Sequence, residues 1–483
     1  MQLLDLITIF IFALGIVIMG LSFSGKGRNM KSFFAAGGAV PWLMSGLSLF
    51  MGFFSAGTFV VWGSIAYSLG WIAISIQWTM AIAGFVVGFF IAPRWHKTSA
   101  LTVAEYITRR LGVNTQKTYT YLFLFISLFT TGSFLYPVAK IVEVSTGMPL
   151  DLCILLLGGF CIVYVAAGGL WAVVSTDVLQ FIILTAAVLI VVPLSFGRVG
   201  GVVNFIESIP ATYFNLVNGE YTIGFIVAFG VYNTIFLGGN WAYVQRYASV
   251  NSQSSARKVG FLFGGLYVVS AVLWMLPPMI YRIVNPSLST IDAEGAYLMM
   301  CKEVLPAGLL GLMLSGMVFA TASSLNATLN ISSGVVTNDI FKRLFPQSSD
   351  KTLMRVARIS TIIFGLLAII VALLIPLMGG IVNVVISVAA LTGVPLYLPI
   401  IWTLFSKRQT EYSVITTTLV SLGANAFFKF ITPLWGFGFN RAEEMIVGVA
   451  FPVLCLIAFE LYYKLNHKIS HRYVEYQEWE KEN

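Results

Sequence analysis

Two stretches of the chain hold the residue types that could handle an ion. Within Ser315 to Asp339, SGMVFATASSLNATLNISSGVVTND, hydroxyls recur at Ser323, Ser324, Thr328, Ser332 and Ser333. Within Leu47 to Gly70, LSLFMGFFSAGTFVVWGSIAYSLG, an otherwise apolar run gathers Gly52, Ser55, Ala56, Gly57 and Thr58 at its centre. Small and β-branched residues in mid-run weaken a helix and free backbone carbonyls, which in a bilayer must then face protein or a cavity. Hard cations take oxygen ligands, so an adjacent serine pair facing unwound carbonyls could replace the water around a monovalent ion. The competing reading of the same hydroxyls is helix packing with back-bonding to the preceding turn.

Few other side chains could do chemistry. Asp177, in GGLWAVVSTDVLQ, is the clearest ionisable group in an apolar run and is a functional candidate on that ground. With Ser175 and Thr176 before it, the same residue also reads as a helix N-terminal cap. His96, His467 and His471 fall in loops or the tail, and Cys153, Cys161, Cys301 and Cys455 lack metal-ligand spacing. Without paired carboxylates, a buried histidine cluster or a nucleophile beside a base, the chain is not expected to be an enzyme or to hold a cofactor.

The elements that must position these groups are membrane helices. At 58% hydrophobic and 10% charged residues over 483, with mean hydropathy +0.88, the chain has too few charges to cover a soluble globule of this size. Apolar runs of membrane-spanning length fall near residues 3–22, 43–66, 70–93, 118–139, 149–167, 173–197, 222–244, 259–281, 306–335, 355–377, 380–405, 412–432 and 444–465, which predicts about thirteen transmembrane helices. The first run has no basic segment before it and no small-residue cleavage site after it, so it reads as a retained helix.

The net charge of +8 sits in short loops and speaks for orientation, not for nucleic acid. Loops holding Lys26, Arg28, Lys31, Arg94, Lys97, Arg109, Arg110, Lys117, Arg257, Lys258, Lys342 and Arg343 alternate with loops holding few cations. That asymmetry predicts a multi-pass protein of the cell (plasma or inner) membrane with its N-terminus outside and its C-terminus in the cytoplasm. Residues 1–465 read as one transmembrane domain and 466–483 as a cytoplasmic tail too short to fold alone.

Setting aside the first helix, 3–22, and the last two, 412–432 and 444–465, ten runs form two fives, 43–197 and 222–405. Two successive odd-numbered units enter a membrane with opposite topology, the arrangement of an inverted repeat. The second unit should have its own break in its first helix, and Phe229 to Asn240, FGVYNTIFLGGN, with Gly230, Asn233, Thr234, Gly238 and Gly239, is the candidate.

Several motifs along nearly the whole chain carry a family resemblance. They are GGAVPW at 37–42, GSIAYSLG after the first break, TVAEYITRRLG at 102–112, YVAAGGLWA at 164–172, VQR at 244–246 and ASSLNATLNISSGVVTNDIF at 322–341. In this order the chain resembles the sodium/solute symporter family, which includes sodium-coupled sugar, sialic acid, proline and pantothenate transporters. The resemblance implies an all-α, LeuT-like core of two inverted five-helix repeats with broken first helices. It also implies a secondary active transporter that couples uptake of a small solute to sodium by alternating access.

Aligned on Asp339, the resemblance places Ser323 and Ser324 on the family's hydroxyl ligands for sodium, and Ala320, Met51 and Phe54 on its carbonyl ligands. Some relatives hold a second sodium with an acid matching Asp177, but the hydroxyls expected one turn past the serine pair correspond to Asn326 and Ala327. Asp177 and Asn326 are therefore expected on an ion exit path or second ion site, and proton coupling through Asp177 is the alternative. The substrate positions match Thr58, Gln77, Asn240, Tyr267 and Ser387, none of them charged, with no arginine near Thr130 and Thr131 to clamp a carboxylate. A neutral polar solute such as a sugar is expected, because a buried carboxylate would want a fixed partner. Trp62, Trp78 and Trp241 could stack on a sugar face. Sodium-independent transport of a small carboxylate or amino acid, or a transporter-like sensor, are the remaining alternatives, and no obligate protein partner is evident.

Overall fold

The computed structural model describes residues 2–24, 40–100, 102–164 and 170–482; within its helices the side chains of several residues, Ser323, Asn326 and Asp339 among them, lie outside the described set. Its main helices begin with α1 (Leu3–Ser24), α2 (Trp42–Met51), α3 (Gly63–Leu69), α4 (Trp71–Val86), α5 (Val103–Leu111), α6 (Val113–Thr146), α7 (Leu150–Tyr164) and α8 (Leu170–Arg198). They continue with α9 (Ile223–Gly239), α10 (Trp241–Ala248), α11 (Gln253–Val284), α12 (Leu309–Val335), α13 (Asp350–Leu374), α14 (Ile381–Val388) and α15 (Val394–Thr403). The last three are α16 (Glu411–Ala426), α17 (Arg441–Leu465) and α18 (His471–Glu482). Among the described residues eight helices are long and apolar enough to cross a membrane, nine if the bent pair α9–α10 is one span. Each of the thirteen expected runs falls on a helix or a broken helix over its described part.

The architecture is LeuT-like, two sets of five helices whose first members, α2–α3 and α9–α10, are each interrupted. The first interruption is where the small residues predict it, with non-helical backbone at Gly52–Ser55 and a π-helical turn over Thr58–Trp62. The second is narrower than the sequence suggests. Gly230, Asn233, Thr234 and Gly238 all remain helical in α9, and only Asn240 leaves helical geometry, at a 59° bend. Thr234 back-bonds to the Gly230 carbonyl at 2.9 Å, so its hydroxyl supports the helix instead of breaking it.

The second helices of the two units, α4 and α11, meet along paired glycines. A methyl on Gly84 would lie 2.7 Å from the Gly264 nitrogen, and one on Gly260 would lie 2.5 Å from the Gly88 Cα. Glycines four apart on both partners thus let two backbones touch, which is how membrane helices gain van der Waals packing where no hydrophobic drive separates helix from lipid. This seam fixes α11, and with it Tyr267, against the helix that carries Gln77.

Outside the two units, Asp5 of α1 accepts hydrogen bonds from the Gly308 and Gly311 amides at 2.7 and 3.1 Å, satisfying orphan donors at the start of α12. The tail is ordered by docking. α18 lies on α5, with Tyr476 edge-on to Tyr106 and the Arg109 guanidinium 3.9 Å from the Trp479 ring centre. A segment too short to fold alone is thus held by aromatic and cation–π contacts with another helix.

Candidate ion and solute sites

At the first break the backbone bonds that cross the turn can be counted. Gly52 N–H donates to the Ser48 and Leu49 carbonyls, Phe53 and Phe54 N–H both donate to Phe50, Thr58 N–H donates to Ser55, and the Thr58 hydroxyl donates to Phe53. Among the described residues the carbonyls of Met51 and Phe54 are not acceptors of these bonds. In apolar surroundings such groups need a partner. The other half-helix starts at Ala56, whose N–H donates to the Thr321 hydroxyl of α12 at 2.9 Å. Thr321 in turn donates to the Met317 carbonyl at 2.9 Å.

That cross-helix cap seats the break against the turn of α12 that holds Ala320 and Ser324. The Ser324 hydroxyl lies 3.5 Å from the Ala320 carbonyl, too long for a strong bond, so both oxygens keep capacity for another partner. Met51 and Ser324 line one cavity together. Phe54 is buried, its ring stacked on Trp274 at 4.7 Å, one of several ring contacts that stiffen the turn. Thr328 and Ser332, by contrast, follow the packing reading: Thr328 back-bonds to Ser324 and Ser332 donates to Ser127 of α6 at 3.0 Å. The register anchor Asp339 and the side chains of Ser323 and Asn326 lie outside the described residues.

Two cavities flank the break. The larger, about 180 Å³, is lined by Thr58, Trp62, Gln77, Thr130, Ser133, Asn233, Tyr243, Tyr267, Thr392 and Tyr397, with aromatic and aliphatic walls and no charged residue among the described residues. That is many times the roughly 10–15 Å³ that a single water needs, and leaves room for a small polar solute. Gln77 is buried and its Nε2 has no protein partner among the described residues, so an amide donor stands ready for a ligand oxygen. The smaller cavity, about 90 Å³, is lined by Ser48, Met51, Thr130, Asp177, Asn240, Arg246, Ser324 and Thr328. The two share Gly52, Ile126, Thr130, Phe134, Phe236, Tyr243 and Tyr397 as a common wall.

Residues 33–420 match the description "Sodium:solute symporter family". The chain belongs to that family. It is 29% identical over 472 residues to the "Sodium/glucose cotransporter" of Vibrio parahaemolyticus, covering 89% of this chain and 86% of the relative. "Sodium/glucose cotransporter 1" of Mus musculus is 25% identical, over 84% of this chain and 68% of the relative. Among solved structures, a Na+-coupled sialic acid symporter in a substrate-bound, outward-open state superposes with TM-score 0.79 at 21% identity, covering 95% and 98% of the two chains. Mhp1, a nucleobase-cation-symport-1 transporter, superposes with TM-score 0.58 at 14% identity over 93% and 99%. These two likenesses concern the fold. The symporter is therefore a membrane-embedded secondary transporter that couples solute movement to sodium.

Two expectations for this symporter need correction. Asp177 is not a helix cap, because α8 begins at Leu170 and carries Asp177 inside it. Its buried carboxylate instead accepts the Ser48 hydroxyl at 2.6 Å, tying α8 to α2, the first half of the first broken helix. Ser387 lines neither cavity, since the helical turn of α14 directs Val385, Val388 and Ala389 there. Thr58, Gln77 and Tyr267 do meet in the larger cavity, whereas Asn240 sits in the smaller one, its Oδ1 accepting the Ala242 N–H at 3.0 Å. Of the tryptophans only Trp62 reaches the larger cavity; Trp78 donates to the Val268 carbonyl at 3.1 Å and Trp241 stacks on Phe123 at 4.7 Å.

Sequence reasoning missed Thr321, Tyr232, Tyr243, Tyr397 and Thr392. Thr321 sits one residue from the motif that was read, and its role depends on a partner 265 residues away. The tyrosines look like ordinary membrane aromatics until three helices bring them to one wall.

Proposed function

We propose that this symporter takes up a neutral sugar, or a closely similar polyol, with a single sodium ion held between the first broken helix and α12. The ligands are the carbonyls of Met51, Phe54 and Ala320 and the hydroxyls of Ser323 and Ser324. The observation that carries the reading is the hydrogen-bond accounting at the first break, where Met51 and Phe54 are left out of the turn's own bonds. Oxygen ligands at a broken helix suit a hard cation. An ion bound there joins α2 to α12 and stabilises the arrangement that presents Thr58 and Gln77 to the larger cavity, so ion and solute each favour the other's binding.

The uncharged lining supports a neutral solute, because a buried carboxylate or ammonium would need a fixed counter-charge. Sugars are the chemistry named for the glucose-carrying relatives. Asp177, with Ser48 donating to it, and Asn326 line the ion's exit toward the cytoplasm in this reading, with the N-terminus outside, the C-terminus inside and residues 1–465 forming one transporter domain in the cell membrane.

The test is tracer uptake of D-glucose, D-galactose, myo-inositol and L-proline into proteoliposomes, with and without a sodium gradient. Wild type should accumulate a sugar or the polyol only with sodium, and Ser323→Ala/Ser324→Ala should abolish that accumulation while inserting normally. Accumulation in sodium-free choline buffer under an inward proton gradient, lost in Asp177→Asn, would overturn sodium as the coupling ion.

A further inference from the structure

Besides the first break, the larger cavity has a second wall that is not regular α-helix. Between α14 and α15 the chain runs through a π-helical turn, Ala389–Gly393, and three residues of that turn, Ala389, Thr392 and Gly393, face the cavity. A π-turn widens the helix and takes its carbonyls out of the ordinary ladder, a costly state in a bilayer unless something outside the helix satisfies them. Here the partner comes from outside both repeats. Asn425 of α16 is buried, and its Nδ2 donates to the Ala390 carbonyl at 3.1 Å and to the Leu391 carbonyl at 3.3 Å.

A second accessory helix presses on the same carbonyl. A methyl on Gly448 of α17 would lie 2.3 Å from the Ala390 oxygen, so only glycine lets α17 approach this closely. On the cavity side the turn is equally tight. A methyl on Gly393 would lie 2.1 Å from the Tyr232 ring, which itself lines the cavity. A shift of the π-turn by a few tenths of an ångström therefore changes the space between Thr392 and Tyr232. The Lys429–Glu444 ion pair, 2.6 Å long, fastens the end of the α16 segment to α17 behind the turn.

We propose that Asn425 is a positioning residue for solute recognition: it holds the π-turn of the fifth helix of repeat two in the register that sets the width of the solute cavity. The accessory helices thus act on selectivity without touching the solute. The proposal rests on the larger cavity being the solute site, but the geometry of the turn can be read independently of which solute is carried.

Two measurements on the full-length protein in liposomes test it. In a background with the four cysteines replaced, Thr392→Cys reports the turn through its rate of alkylation by a small methanethiosulfonate, with no solute needed. Asn425→Leu and Asn425→Asp remove both donated bonds and should change that rate by about fivefold or more, fivefold being the effect of a single lost hydrogen bond. Asn425→Gln keeps the amide and should stay within about twofold of the parent. In D-glucose tracer uptake, the first two substitutions should raise KM about fivefold and leave the sodium half-saturation within about twofold.

An unchanged alkylation rate in Asn425→Asp overturns the proposal, as does an equal shift in KM and sodium half-saturation, which would indicate general loosening. Shifted alkylation rates in a protein that carries no D-glucose would support the proposal while overturning the sugar reading. Should Asn425→Leu fail to insert, Gly448→Ala pushes the same carbonyl from the other side and must alter the alkylation rate in its place.

Discussion

The two interrupted helices occupy equivalent places in the two repeats and are built in different ways. At the first, four residues, Gly52–Ser55, leave helical geometry, and the second half-helix receives its cap from Thr321 on another helix. At the second, one residue leaves the helix, and that residue caps the next half itself, through the Asn240 side chain and the Ala242 N–H. Carbonyls around it are engaged: Gly238 accepts the buried Trp95 Nε1–H at 2.7 Å, Leu237 accepts the Tyr247 hydroxyl at 3.2 Å, and Asn240 accepts the Tyr243 and Val244 N–H groups. A break closed from a distance keeps Met51 and Phe54 carbonyls unused by the turn, and those are the groups a cation can use. Similar backbone interruptions therefore serve different ends, and the side-chain source of the cap distinguishes them.

The sharpest way to break this comparison is to ask whether the two helices run through the membrane in opposite senses. Gly219 and Ser254 flank the second broken helix and are exposed. An impermeant maleimide should label Gly219→Cys only from outside and Ser254→Cys only from inside, an all-or-none difference. Labelling with the sides exchanged would reverse the orientation and move Asp177 from the inner to the outer side of the ion path.

A smaller but still large effect is expected from the cap supplied at a distance. Thr321→Val removes the acceptor from a buried N–H, worth about 1–3 kcal/mol, so the sodium half-saturation should rise by about fivefold to a hundredfold. Thr321→Ser keeps the hydroxyl and should restore most of the affinity. Sodium dependence in the valine variant equal to wild type would show that the break holds its shape without α12. The smallest effect belongs to the self-capped break. Asn240→Ala loses a local cap of about 1 kcal/mol, so maximal uptake should fall up to about fivefold with the sodium half-saturation unchanged. A changed sodium affinity in that variant would erase the distinction between the two breaks.

Much of this division could be read in the sequence, and some could not. The number and order of apolar runs, the odd-by-odd organisation and the first break follow from composition and local propensity, because hydrophobic length and small residues act within a few turns of the chain. The same local logic misplaced the extent of the second break. Gly230, Asn233 and Gly238 look like helix breakers in isolation but are held helical by the packing of α9 against its neighbours. Asp177 shows the converse: a serine and a threonine before an acid resemble a cap, yet the helix starts a full turn and more earlier and the carboxylate turns to Ser48, 129 residues away.

By itself the sequence determined that this chain is a polytopic membrane protein with a broken helix, because residue type and spacing suffice for those, and its motifs carried the family resemblance. Only the tertiary structure decided which carbonyls the first break leaves out of the turn's own bonds, which polar groups meet in the larger cavity and which distant residues hold its walls. Thr321, Tyr232 and Asn425 acquire their roles from partners far along the chain. No local pattern encodes such a pairing, because it exists only once helices from both repeats and from the accessory pair have packed around one unwound turn.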